Sequence, residues 1–207
     1  MRTLVVGGHS RNIGKTALVV NLIHAFPEAH WTAIKITQYG HGVCSVNGEN
    51  CGCAPSEHTV AVLEEQDRGN RSDTSRFLVA GAALAFWVRT KQGQLAAALP
   101  LLREAWAGAE NVILESNTLL QFIAPTLYLV VLDPQVADFK ESARLTLDRA
   151  DGFVLRAPLP VSAVAWDGVS PRLLEGRPRF HVPLGGTLPQ ECIDFVRQRF
   201  FGAPVSH

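Results

Sequence analysis

No sign of charge prevails in this chain. Its 207 residues carry 19 basic and 19 acidic side chains, formal net charge is zero, and no long run holds one sign. Binding to nucleic acid or to an anionic membrane surface needs a basic footprint, so neither partner is expected. No apolar run approaches the ~20 residues that a membrane-spanning helix requires. The chain enters strand-forming residues at once, so no secretory leader is expected and the cytoplasm is the expected location. Four cysteines are too few for a disulfide scaffold. No internal repeat and no linker-like stretch divides the chain. What remains is a hydrophobic content of 47% and a charged content of 18%, suited to one domain, 1–207, with a sizeable core.

One stretch organises the rest. Leu4-Val5-Val6 reads as a short buried strand, and Gly7-Gly8-His9-Ser10-Arg11-Asn12-Ile13 as a glycine-rich turn. Gly14-Lys15-Thr16-Ala17 then opens an apolar-periodic segment, read as a helix. Strand, turn and helix in that order are what a phosphate-binding loop requires. Backbone N–H groups of residues 8–17 would cradle phosphates at a helix N-terminus. Lys15 would reach the β/γ-phosphates as a catalytic point charge, and the Thr16 hydroxyl would ligate Mg²⁺. The usual spacing places glycine at position 9, yet His9 stands there and Gly8 comes one residue earlier. A chance Gly-Lys-Thr in a strand–helix turn is the alternative.

Further along, strands are expected at 31–37, 84–89, 112–115, 127–132, 152–156 and 180–184, with a short strand at 162–166. Helices are expected from Ser72 or Asp73 as N-cap through Ala83, over 92–107 with a break or kink near Pro100, over 136–149, and over 189–200. Strands alternating with helices imply a mostly parallel sheet covered on both faces. Residues from about 38 to 72 depart from this rhythm and form a cysteine-containing insertion, with a short strand or helix within 56–65. A stretch of that length inside a compact domain is commonly functional.

In such sheets ligands bind at the carboxyl ends of strands. Glu115 stands at one such end and could hold Mg²⁺ directly or through water; an ordinary strand-terminal acid is the alternative. Asp73 is a second candidate for Mg²⁺, or merely a helix cap. Lys35, read at the end of the second strand, needs an anionic partner in an apolar setting. It is assigned a catalytic place beside the phosphates, against a plain surface lysine. Cys44, Cys51, Cys53 and His58, with His41 nearby, could supply four ligands to Zn²⁺ or share an iron–sulfur cluster. Cys51 and Cys53 could also be a redox pair, or the thiols could be inert. Cys192 reads as a core thiol. Base selectivity between ATP and GTP is unwritten: where a guanine-specific protein often carries Asn-Lys-x-Asp, the chain has Leu155-Arg156-Ala157-Pro158.

The sequence resembles the branch of P-loop NTPases holding dethiobiotin synthetase and the molybdopterin-guanine dinucleotide biosynthesis adaptor (MobB). Gly8-x5-Gly14-Lys15-Thr16 has the glycine spacing of the synthetase pattern G-T-D-T-x-V-G-K-T. Lys35-Ile36-Thr37-Gln38-Tyr39-Gly40 is similar to its K-P-V-Q-S-G run. Asp73-Thr74-Ser75-Arg76 through Ala80-Gly81-Ala82 resembles the adaptor's D-S-x-R-x-x-x-A-G-A, and the adaptor has counterparts of Lys35 and Glu115. The likeness covers about the first 120 residues. Ser116-Asn117-Thr118 departs from the glycines both relatives place after the glutamate, and the cysteine-bearing stretch has no counterpart in either.

The resemblance implies a three-layer α/β P-loop fold binding ATP or GTP with Mg²⁺, and a homodimer. The expected function is that of a slow GTPase or ATPase of the adaptor type, working with a cofactor-biosynthesis enzyme. A synthetase-like ligase that activates a carboxylate with ATP is the rival. A nucleotide-gated metal-handling protein using the cysteine stretch is the third reading.

Overall fold

The computed structural model describes residues 1–39, 60–157, 166 and 168–202. Among them, strands β1 (Arg2–Gly8), β2 (Thr32–Tyr39), β3 (Val60–Glu64), β4 (Leu84–Lys91), β5 (Asn111–Glu115), β6 (Leu127–Leu132), β7 (Gly152–Leu155) and β8 (Arg179–His181) form one sheet. Its spatial order is β3-β4-β2-β5-β1-β6-β7-β8, parallel throughout except for the antiparallel edge strand β3. Helices α1 (Lys15–Ala25), α2 (Asp73–Val79), α3 (Leu95–Ala105), α4 (Glu141–Arg144) and α5 (Gln190–Val196) cover it.

Period-two alternation sorts the strand residues between two cores. Leu4 and Val6 of β1 join Leu18, Leu22 and Ile23 of α1, Phe77 of α2 and Val196 of α5 on one face. Val5 joins Ile34, Leu114 and Val130 with Leu95, Ala98 and Leu102 of α3 on the other. Each fully buried leucine contributes about 1.5–3 kcal/mol relative to exposure. The result is the three-layer α/β architecture expected.

The chain travels one way from β1 to β2 and the other way from β5 across β1 to β6. The carboxyl end of β1 is therefore the topological switch point, where an open crevice forms.

Several expectations need correction. The helix expected over 136–149 is absent: residues 133–140 are irregular, α4 spans Glu141–Arg144, and a 3₁₀ turn covers Leu147–Arg149. Val136 and Phe139 mimic a helical stripe, yet Val136 packs on the α1 core and Phe139 in the opposite one. The backbone there bonds to other elements instead: the Lys140 N–H donates to His9 O at 2.8 Å.

Helix α3 runs unbroken across Pro100. Pro100 is exposed, so the carbonyl it leaves unbonded faces water. Lys35 lies mid-strand rather than at a strand end, because β2 continues to Tyr39. Pro189 is the N-cap of α5, and the last turn, Arg197–Phe201, is π-helical. Cys192 is buried in the α1-side core, as expected of a core thiol, and burial pushes its thiol up to about 12. The strand expected at 162–166 lies, but for Trp166, outside the described residues, as do Cys44, Cys51, Cys53, His58 and His41.

Candidate phosphate-loop site

Residues 9–14 carry β1 into α1 at the switch point. Gly14 holds φ +89, a left-handed conformation that suits glycine, and caps α1 with no side-chain hydrogen bond. The first turn of α1 also has no acidic residue. Its N-terminal donors and positive dipole end are thus left for an external anion. A Cβ on Gly8 would come within 2.8 Å of Ile13 and 2.9 Å of Lys15, so a side chain there would displace both.

His9 explains its own departure from the usual glycine. Its ring is buried between Phe139 and Trp166, with both centroids 5.1 Å away. Nε2 lies 3.1 Å from Val136 O, a pure acceptor, so Nε2 carries the proton. Nδ1 is then bare and, among the described residues, without a partner. Burial lowers the pKa of His9, keeping the ring neutral. A larger-than-glycine side chain fits here because residues 133–140 supply a slot for it.

The same segment grips the loop again. Ser10 Oγ donates to Asp138 Oδ2 at 2.5 Å. From the opposite side, Arg156 at the end of β7 reaches three carbonyls: Ile13 O at 3.0 Å from Nε, Val182 O at 2.9 Å from Nη1, and Gly14 O from Nη2. Asn117, just past β5, holds Gly8 at both backbone atoms, each at 2.8 Å. Arg11 and Asn12 are exposed at the tip, Asn12 with φ 54; Ile13 is buried, and Ala17 is half-buried in the first turn of α1.

The chemistry-bearing side chains meet beside this loop. Parallel pairing sets Glu115 level with Val6 on one side and Lys35 on the other. Thr16 Oγ1 donates to Glu115 Oε2 at 2.7 Å. Lys35 Nζ donates to Glu115 Oε1 at 3.3 Å and bonds Asp73. Ser72, not Asp73, is the N-cap of α2, in a reciprocal capping box with Ser75. The Asp73 carboxylate is thereby free for Lys35. Burial alone would lower the pKa of Lys35, but Glu115 and Asp73 outweigh it and the pKa rises. Lys15 is half-buried rather than solvent-facing, its amine donating to Ser10 O at 2.7 Å. Burial lowers its pKa, with Glu115 opposing.

A further cation joins them. Lys140 has its pKa lowered to about 8, first by burial and then by the charges of Lys15 and Arg11, with Asp138 opposing. Thus Lys140 crowds the loop with Lys15 and Arg11, whose charges disfavour its own. A polyanion at the loop would relieve that repulsion.

Mg²⁺ fits the oxygen ligands present. Octahedral coordination at 2.0–2.1 Å brings adjacent ligand oxygens to about 2.9 Å, close to the 2.7 Å between Thr16 Oγ1 and Glu115 Oε2. One carboxylate and one hydroxyl, completed by phosphates and water, is an ordinary Mg²⁺ set. Asp73 is engaged by Lys35 and Arg76.

Sequence reading brought Gly8–Ala17, Lys35, Asp73 and Glu115 to one place, and missed Asn117, Asp138, Lys140 and Arg156. The carboxyl-end rule, applied to β6 and β7, would have drawn attention to 133–140 and to Arg156.

No protein-family model and no curated protein matches this sequence. Three solved structures are similar to it over most of its length, and the likeness to HypB reaches the level of a shared fold. HypB from Helicobacter pylori, in complex with nickel, is 15% identical with a TM-score of 0.50, covering 99% of this chain and 90% of that one. LpxK from Aquifex aeolicus, in complex with ATP, is 17% identical with a TM-score of 0.47 over 87% of this chain. This chain spans about half of the LpxK chain, 53%. MinD, in the MinC:MinD cell division protein complex from Aquifex aeolicus, is 12% identical with a TM-score of 0.47, at 100% and 98% coverage. At such identities the likeness bears on architecture alone, and the architecture is the P-loop NTPase fold. Among the described residues, no helix is long and apolar enough to cross a membrane.

Proposed function

We propose that this chain binds a nucleoside triphosphate, ATP or GTP, with Mg²⁺ and hydrolyses it slowly. The observation that carries the proposal is the pairing of an uncapped α1 N-terminus, crowded by Arg11, Lys15 and Lys140, with the Thr16–Glu115 oxygen pair. Lys15, Lys140 and the loop N–H groups would bind the phosphate oxygens. Thr16 and Glu115 would hold Mg²⁺, which supplies neutralisation of phosphate charge when bound. Lys35, kept protonated by Glu115 and Asp73, adds a fixed positive charge where negative charge develops on the leaving phosphates. Arg156, Asn117 and Asp138 keep the loop in shape, so little reorganisation accompanies binding.

The finer reading, an adaptor serving cofactor assembly in the cytoplasm, is supported by the Asp73–Ala82 likeness to the molybdopterin-guanine dinucleotide adaptor. A homodimer and a cofactor-biosynthesis partner belong to the same proposal. Slow hydrolysis without any added substrate distinguishes it from a ligase.

Titration calorimetry with non-hydrolysable ATP and GTP analogues, with and without Mg²⁺, tests the binding. We expect Mg²⁺-dependent affinity of about 1 μM, near 8 kcal/mol, and its loss in Lys15→Ala with circular dichroism unchanged. Unchanged affinity in Lys15→Ala would overturn the assignment of the loop.

A further inference from the structure

On the α2 side of the sheet, three strands from β1 and one strand outward from Lys35, lies a cation the proposed chemistry leaves unused. Trp87 of β4 sits directly opposite Lys35 of β2, and Arg89 opposite Thr37, so four side chains form a square on one face. Trp87 Nε1 donates to Thr37 Oγ1 at 3.0 Å, which fixes the indole. The Arg89 guanidinium lies over that indole, 4.9 Å from the ring centroid. Stacking orients the fork.

What the stacking does not do is satisfy it. Arg89 Nε is buried and, among the described residues, has no hydrogen-bond partner. No carboxylate pairs with Arg89 among them either. Asp73 is held by Lys35 and Arg76. Glu65 is taken up by the hydroxyls of Ser72 and Thr74. Across the sheet edge, the residue facing Arg89 is Ala61, which offers no polar atom beyond its backbone. With Nε buried, the two Nη groups of the half-buried guanidinium face outward and match one chemistry above others, a bidentate oxyanion.

Position supplies the rest. Arg89 lies two residues beyond the Lys35 level towards the carboxyl ends of the strands, about 7 Å further along and one strand outward. A ligand anchored there by one oxyanion reaches Lys35 with its other end.

We propose that Arg89, oriented by Trp87 and Thr37, is the anchoring residue of a second ligand subsite, for the oxyanion, carboxylate or phosphate, of a small effector molecule that extends from β4 towards Lys35 on the flank of the nucleotide site. The proposal rests on the nucleotide reading for what lies next door, but the anchor itself can be tested without it.

The test observes Arg89 Nε–H by ¹⁵N NMR of the full chain, the resonance assigned by its loss in Arg89→Lys. Succinate and inorganic phosphate are titrated separately, with the loop filled by a Mg²⁺–triphosphate analogue, and again in Lys15→Ala without nucleotide. A saturable shift of the Arg89 signal with a Kd of about 1 mM or tighter, in both protein forms, is the expected result. Succinate alone would assign a carboxylate, phosphate alone a phosphate ester. An Arg89 signal unmoved by either anion in Lys15→Ala overturns the subsite, whatever the loop binds. Failure of the triphosphate analogue to bind, with the Arg89 shift intact, would instead remove only the neighbouring nucleotide.

Discussion

Lys140 makes nucleotide binding pH-dependent above neutrality. Its backbone is fixed to the loop through His9 O, and its amine sits where burial, Lys15 and Arg11 hold its pKa at about 8. A triphosphate in the loop reverses the electrostatics, so the bound state keeps the amine charged well above that value. Well below pH 8 the amine is protonated in both states and affinity is flat. Above it, binding must draw a proton from solvent, so affinity falls as pH rises. For a free-state pKa of about 8, roughly nine-tenths of the free protein carries neutral Lys140 at pH 9. The expected weakening from pH 7.5 to pH 9 is then about eight-fold, near 1.2 kcal/mol. Calorimetry in two buffers of different ionisation enthalpy measures the proton directly: about 0.9 taken up at pH 9 and about 0.25 at pH 7.5. Lys140→Met should bind more weakly at pH 7.5 and lose this slope. Persistence of the slope in Lys140→Met would refute the reasoning and move the titration to Lys15, whose pKa is also lowered.

Other outcomes follow from the same contacts. Glu115→Gln should reduce Mg²⁺-dependent hydrolysis more than nucleotide affinity, because the carboxylate answers the metal while the loop and lysines answer the phosphates; equal losses in turnover and calorimetry would mark Glu115 as structural. Arg156→Met leaves the carbonyls of Ile13 and Val182 without their side-chain donor and Gly14 O with only the Leu18 N–H, and should cost about 1–3 kcal/mol in urea unfolding while weakening nucleotide binding. Unfolding unchanged by that substitution would show that the clamp is replaced by water.

The parts of the fold that could be read from sequence are those whose signal is local. Leu4-Val5-Val6, the turn and Gly14-Lys15-Thr16 carry strand, loop and helix within one window. The strands around Phe86, Ile113, Val130 and Phe153 announce themselves as short apolar runs because helices cover both faces. Glu115 and Lys35 could be picked out since each interrupts such a run with charge. What stayed hidden depends on topology. Arg156 matters because β7 lies two strands from β1, a distance no window of sequence contains. Residues 136–149 misled because Val136 and Phe139 have helical spacing while serving opposite cores. Their backbone went to His9 rather than to a helix, a tertiary bond that outcompeted local propensity. Asn117 was passed over as a departure from a glycine pattern, though it bonds both backbone atoms of Gly8.

The antiparallel pairing of β3 bears on how the chain tolerates its cysteine-bearing stretch. Tyr39 pairs with Lys91 and Val60 with Thr90, so the chain leaves β2 and enters β3 at the same end of the sheet, with β4 between them. Two strand spacings, about 10 Å, separate the points of departure and return. The link from Tyr39 to Val60 therefore joins two strands at one end of the sheet, as antiparallel pairing of β3 requires. The entropy of closing a connection rises only with the logarithm of its length. The pairing of β2, β3 and β4 is thus set by the described strands themselves, whatever joins Tyr39 to Val60.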